Sequence, residues 1–290
     1  MTDLTVALHA GAHKTATTHL QRTMADNMAL INEAGISFRG PNAFRTPGAT
    51  LRHMFEIGLK MEEPIPGGPQ AMLKNLADGR DRLIISEENF LGSLNPPDGP
   101  FRRLLYPDGP GRLESLAKRI SPCPLDLFFA VRDPATFMQS AYSQVLSSGR
   151  KVSLQDYVND VPPKKISWFR LVRRLVEKNA ARRIWIWRYE DYPKIQEQIY
   201  SHLLTPEIAR SIVPHPVRVN KGLSQAAVEA CLSDDPQSPS APEAKAHYPV
   251  GETYPRYDGF SEEARRLSRI RYEDDLERIA ALPGVQLLRP

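Results

Sequence analysis

Four short stretches of the chain are apolar almost without interruption: 4–8 (LTVAL), 83–86 (LIIS), 125–131 (LDLFFAV) and 184–188 (IWIWR). A strand with one face in water alternates apolar and polar side chains. Runs of about four to eight residues without alternation are expected where both faces of a parallel sheet are covered. Helical patterns separate the runs. One extends over 17–34 and stops at Gly35. In another, Trp168, Leu171, Val172, Leu175 and Val176 recur at the spacing of one helix face. A third covers about 260–282, with Glu262, Glu263, Arg265, Arg266 and Arg269 on a strongly charged face. Strands alternating with helices predict an α/β fold with a central, mostly parallel sheet flanked by helices. Two stretches rich in Pro, Gly and Asp, 95–111 and 233–259, are expected to be long loops. With no repeat and no linker, residues 1–290 are expected to form one domain.

Composition narrows the function classes. Of the 290 residues, 41% are hydrophobic and 25% charged, as in ordinary globular proteins. The net charge of +4 comes from arginines scattered among acids, with no dense basic run, so nucleic acid is not an expected partner. The two cysteines, Cys123 and Cys231, have no metal-ligand spacing; free thiols, a reducing compartment and no metal are expected. The N-terminal residues lack the apolar stretch of a signal peptide, and no run approaches the roughly 18 apolar residues of a membrane span. The expected location is cytoplasmic, without a membrane partner.

The strongest chemical signal follows the first apolar run. The chain reads His9-Ala10-Gly11-Ala12-His13-Lys14-Thr15-Ala16-Thr17-Thr18 and then becomes helical. Strand, small residues, one lysine, hydroxyls and a helix start make a phosphate cradle: backbone N–H groups converge where the helix dipole favours an anion. Capping of the helix explains one hydroxyl and leaves the others unexplained. The loop departs from the nucleoside-triphosphate pattern, because no glycine directly precedes Lys14. A second element begins where the third apolar run ends, at Arg132. Asp133 is a fitting N-cap and Pro134 a fitting first helical residue, with Ser140 eight positions after the arginine. Arginine offers a planar fork to a phosphate and serine adds a hydroxyl.

Together these segments resemble sulfotransferases that use 3′-phosphoadenosine 5′-phosphosulfate (PAPS). Residues 11–18 are similar to the family's 5′-phosphosulfate loop, which in bacterial members often reads H-K-T-G-T-T. His13-Lys14-Thr15 and Thr17-Thr18 match, Leu20-Gln21 follows, and Ala16 stands at the usual glycine. If that position needs a left-handed backbone, alanine carries a cost there. Arg132, Pro134 and Ser140 match the spacing of the 3′-phosphate motif. Tyr189 lies in a Tyr-Glu-Asp segment like the one beside adenine in the family, and His19 stands where many members have a stacking tryptophan. Asn220-Lys221-Gly222 partly resembles an Arg-Lys-Gly segment that grips the 3′-phosphate, which leaves Lys221 and Gly222 to make the contacts. The resemblance touches residues 4–21, 82–90, 125–142, 183–192 and 218–224, in the family's order.

The resemblance implies a P-loop-like three-layer sandwich that binds PAPS and passes its sulfuryl group to a hydroxyl or amine of a small-molecule or glycan acceptor; which acceptor the sequence leaves open among sugars, phenols, lipids and other hydroxyl compounds, with a slight lean to a carbohydrate or polar metabolite. It implies cofactor contacts from Gly11, His13, Lys14, Thr15, Ala16, Thr17, Thr18, His19, Arg132, Ser140, Tyr189, Lys221 and Gly222. Lys14 would supply positive charge to the departing phosphate. The catalytic base is expected in Glu87-Glu88 after the second apolar run, Glu87 first and Glu88 second. Two readings stand beside it: a small-molecule kinase or other P-loop nucleotide-binding protein, and a family member that binds the nucleotide 3′-phosphoadenosine 5′-phosphate (PAP) without catalysis.

Overall fold

The four uninterrupted apolar runs are the four inner strands of one sheet. In the computed structural model, which describes residues 4–46, 49–58, 65–94, 101, 104–217, 222–233 and 235–290, the strands are β1 (Thr5–His9), β2 (Ile36–Arg39), β3 (Arg82–Ser86), β4 (Leu125–Val131), β5 (Arg183–Arg188) and β6 (Val285–Leu288). Their order is β2-β3-β1-β4-β5-β6, and each neighbouring pair is parallel. The strands that the apolar pattern missed, β2 and β6, are the two edges, each four residues long. An edge strand is covered less fully and needs no continuous apolar run.

Period-two geometry sorts the inner strands onto two faces. Val6, Leu8, Leu83, Ile85, Leu127 and Phe129 point into one core, with the helices Gly109–Ile120, Pro134–Ser147, Trp168–Glu177 and Glu262–Ala280. Ala7, Ile84, Phe128, Ala130, Trp185 and Trp187 point into the other, under α1 (Thr17–Asp26), α2 (Met28–Glu33) and the helix Tyr192–Leu203. The result is the expected three-layer α/β arrangement.

Three local expectations need correction. The pattern over 17–34 is two helices, because the Asn27 amide competes with the helix: its Nδ2 donates to Thr23 O at 2.8 Å and to Val213 O at 2.9 Å, and its Oδ1 accepts from Val213 N. The stretch 233–259 is not simply a loop. It contains the helix Ala241–His247, started by a Ser240/Glu243 capping box. Within 95–111, residues 95–100 and 102–103 lie outside the described residues, Leu105 and Tyr106 are buried, and a helix begins at Gly109. The predicted cap at Asp133 is present, its carboxylate accepting from Thr136 N at 3.1 Å.

The topology decides where a ligand can sit. The connection after β1 leaves toward β2 and the one after β4 toward β5, so the chain divides between these adjacent strands and opens a crevice at their carboxyl ends. β1 enters that crevice at His9, which is buried. Its Nδ1 meets Ser86 Oγ at 2.8 Å, and that hydroxyl accepts from Gln21 Nε2 at 3.1 Å. Burial lowers the His9 pKa to about 4. The native state therefore holds the neutral imidazole, while the unfolded chain takes up a proton near pH 6.5. This contribution is fully present above about pH 6.5 and is lost as pH falls toward 4, amounting to about 3 kcal/mol. Urea unfolding at pH 7.5 and 4.5 should register the loss, and His9→Gln should flatten the pH dependence. An unchanged slope in that variant would remove His9 as its source.

Candidate functional site

Past the end of β1 the backbone stays strapped to β4: Ala10 N and Ala12 N donate to Phe128 O and Ala130 O at 3.1 and 3.3 Å. Between them Gly11 has φ 29°, and a Cβ there would stand 2.8 Å from Thr17 Oγ1. Glycine is thus required both by conformation and by space. Lys14 and Ala16 both take the left-handed conformation, each with φ 65°. Left-handed residues at alternate positions turn successive N–H groups inward, which makes an anion-binding concavity. Ala16 is also the N-cap of α1, so the unpaired N–H groups of the first helical turn open on the same side. Thr15 Oγ1 donates to Ala12 O at 2.5 Å and shapes the loop from within. Thr17 Oγ1 is buried with no hydrogen-bond partner among the described residues. Such an atom costs free energy unless a ligand completes it.

Behind the loop runs a buried polar chain. His13 N donates to Tyr106 Oη at 3.2 Å, and Tyr106 Oη lies 2.8 Å from His13 Nδ1. His13 Nε2 lies 3.0 Å from Asn89 Oδ1. The amide oxygen can only accept, so Nε2 carries the proton and Nδ1 accepts from the tyrosine. Asn89 in turn donates from N and Nδ2 to Glu87 Oε1, both at 2.9 Å, and Arg45 donates to the same carboxylate at 3.3 and 3.4 Å. His13 and Glu87 therefore belong to the support of the loop and do not line the cleft in front of it. Glu88, one residue on, does line it, and is held by Arg45 at 3.2 Å.

The opposite wall is built from the ends of β4 and β5. Arg132 is buried. Its Nη1 donates to Lys14 O at 2.8 Å and its Nε to Thr136 Oγ1 at 3.0 Å, and its guanidinium lies over the Tyr189 ring at 4.3 Å. Trp168 Nε1 fixes the same segment from below through Arg132 O at 2.7 Å. Glu190 is held by Asp133 N at 2.9 Å and Tyr272 Oη at 3.1 Å, so the long helix Glu262–Ala280 braces this wall. His19, at the other end, meets Tyr192 Oη at 3.0 Å and His215 O at 2.9 Å.

These walls enclose a cleft of about 430 Å³. Of the residues singled out from the sequence, Lys14, Ala16, Thr17, Thr18, His19, Glu88, Arg132, Ser140, Tyr189 and Gly222 line it. Gly11, His13, Thr15 and Glu87 stand behind that surface, and Lys221 lies outside the described residues. Sequence reasoning missed Ser143, Gln144 and Ser147, which continue the face of Ser140 along the helix Pro134–Ser147, and Lys245, which comes from the helix within 233–259. The stripe had a visible signal: polar residues at i, i+3, i+4 and i+7 on a helix whose other positions are mostly apolar. Lys245 had none, being one lysine in a stretch read as a loop. The Lys14 ammonium has its pKa lowered chiefly by burial, with Arg132 and Lys245 adding to the effect and Glu88 opposing it. Such a site is electropositive and partly buried, which suits an anion.

A wider groove of about 720 Å³ beside the helix Gly109–Ile120 has arginines already engaged with backbone: Arg52 with Ile57 and Gly58, Arg112 with Phe90, Arg174 with Leu105 and Pro107. Among the described residues, no group of three or more His, Cys, Asp or Glu is arranged to hold a metal ion, and no helix is long and apolar enough to cross a membrane.

No protein-family model and no curated protein sequence matches this chain. Among solved structures, the chain is similar to a sulfotransferase from Alicyclobacillus acidocaldarius, with 13% identity, a TM-score of 0.48, and coverage of 97% of this chain and 96% of the other. It is also similar to a retinol dehydratase crystallised with androsterone and the inactive cofactor PAP, with 12% identity, a TM-score of 0.37, and coverage of 99% and 82%.

The left-handed Ala16 gives a direct test of the loop geometry. An L-residue pays about 1–2 kcal/mol in this conformation, partly offset by the smaller entropy of the unfolded alanine chain. Ala16→Gly should therefore raise stability by about 1 kcal/mol in urea unfolding. A loss of stability would contradict the left-handed backbone at this position.

Proposed function

We propose that the cleft binds PAPS and transfers its sulfuryl group to a hydroxyl or amine of a polar acceptor. One observation carries the reading: two separate anion-competent elements face a single cleft and are joined by a hydrogen bond. The first is the loop with left-handed Lys14 and Ala16 and the unpartnered Thr17 hydroxyl. The second is Arg132, which reaches back to Lys14 O. A donor with phosphates at two ends fits this spacing of charge better than a single triphosphate tail does. The motif resemblance at both elements supports the same donor.

In this reading the loop N–H groups, Lys14, Thr17 and Thr18 hold the phosphosulfate end. Arg132, Ser140 and the backbone at Gly222 hold the 3′-phosphate, and Tyr189 and His19 border the purine. During transfer the sulfur–oxygen bond to the phosphate breaks as the acceptor oxygen or nitrogen bonds to sulfur. The electron pair goes to the phosphate oxygen, where Lys14 supplies positive charge. The acceptor proton goes to a carboxylate. Glu88 takes that role ahead of Glu87, because Glu88 lines the cleft whereas both Glu87 oxygens are occupied by Arg45 and Asn89.

Thermal unfolding with PAP, ADP, AMP, and ATP with Mg²⁺ tests the donor. At one hundred times its Kd, PAP should add about 2.7 kcal/mol of apparent stability, well above ADP. A preference for ATP with Mg²⁺ would replace the reading with a kinase. Glu88→Gln should keep PAP affinity and lower turnover by about 10²–10⁴-fold. Glu87→Gln should instead cost about 1–3 kcal/mol of stability, because the buried amide would turn an N–H2 donor toward the donors of Arg45 and leave it unpaired. Full turnover in Glu88→Gln would eliminate Glu88 as the base.

A further inference from the structure

The cleft wall away from Tyr189 and Tyr192 has an unusual composition. Beyond the phosphate loop, the described residues singled out there are Ser143, Gln144, Ser147 and Lys245, all of them polar or charged. Ser143 and Ser147 donate their hydroxyl protons to Gln139 O at 3.0 Å and Ser143 O at 2.8 Å. Their remaining lone pairs can only accept, which suits a ligand rich in hydroxyl donors. A flat apolar acceptor would strip water from these groups and return no hydrogen bonds.

Lys245 adds a charge to this wall. It is half-buried on a seven-residue helix packed over the Ser143–Ser147 stripe, and its field reaches Lys14. The nearest acid on its own helix, Glu243, is turned back into the capping box, accepting from Ser240 N at 2.8 Å. No described carboxylate pairs with Lys245. Glu88, the acid on the facing wall, is held by Arg45. In the sulfuryl-transfer reading the donor's two anionic ends meet Lys14 and Arg132, which leaves Lys245 for another group.

We propose that Lys245 is a specificity-determining residue that pairs with an anionic group, a carboxylate or its equivalent, on a polyhydroxyl acceptor such as an acidic sugar. The assignment rests on the sulfuryl-transfer reading. It gives the charged group to Lys245, the flanking hydroxyls to the serine stripe, and the reacting hydroxyl to the neighbourhood of Glu88 and Lys14.

The test uses the full chain saturated with PAP and an equimolar mixture of D-glucuronate and D-glucose, read by saturation-transfer NMR. Glucuronate should receive about two to five times more saturation than glucose, the range expected of one partly exposed ion pair. Lys245→Ala should reduce glucuronate to the level of glucose, and Lys245→Arg should preserve the preference. Calorimetric PAP affinity should stay within about twofold in Lys245→Ala. Equal saturation of the two sugars in the wild-type protein would overturn the proposal. So would a PAP affinity that falls in Lys245→Ala as far as in Lys14→Ala, because Lys245 would then serve the donor. Failure of the wild-type protein to bind PAP at all would overturn the sulfuryl-transfer reading itself, an outcome distinct from the other two.

Discussion

The hydrogen bond from Arg132 to the carbonyl of Lys14, at 2.8 Å, joins the two halves of the cleft. Lys14 can offer its carbonyl in that direction because its backbone is left-handed, and Arg132 can reach it because β1 and β4 are adjacent and parallel. The same pairing carries Ala10 and Ala12 along β4 beyond the end of β1. A loop that would otherwise be free at one end is thereby fixed along its length. Such fixation holds the loop N–H groups in one arrangement in the absence of any ligand.

The support behind the loop is equally specific. His13, Tyr106, Asn89, Glu87 and Arg45 form a chain in which each donor meets an acceptor, and its geometry admits one tautomer of His13. A network of this kind is stable only when complete. It also separates two neighbouring acids that look equivalent in sequence. Glu87 is drawn into the network, and Glu88 is left on the surface of the cleft. On the far side, the helix Glu262–Ala280 holds Asp133 through Ser268 and Glu190 through Tyr272, so the wall that carries Arg132 is braced as well.

Charge gives the cleft its direction. Lys14 and Arg132 are both substantially buried, and each has its pKa lowered chiefly by that burial. Cations held in this way are destabilising until an anion joins them. The polar stripe Ser140, Ser143, Gln144 and Ser147 extends the same surface away from the loop, and Lys245 ends it with a further cation. Among the described residues, the cleft's aromatic and apolar character gathers where Tyr189, Tyr192, Pro193 and His19 border it, while the stripe and Lys245 keep the other wall polar.

The sequence by itself determined the class of fold, because continuous apolar runs are sufficient evidence of strands covered on both faces. It also determined the strand–loop–helix around Lys14 and the cap at Asp133, where the residue types act within a few positions of one another. It was silent on the edge strands β2 and β6, whose four residues carry no distinctive period, and on the break at Asn27, which depends on an amide bonding to Val213 far along the chain. Only the tertiary structure decided which of Glu87 and Glu88 faces the cleft, because the choice turns on Arg45 and Asn89 as partners. Only it brought Lys245 across from a helix that the Pro-rich composition concealed. Local chemistry is legible wherever the interacting residues are neighbours in the chain. Contacts between distant segments are set by how the layers pack, and no local pattern encodes them.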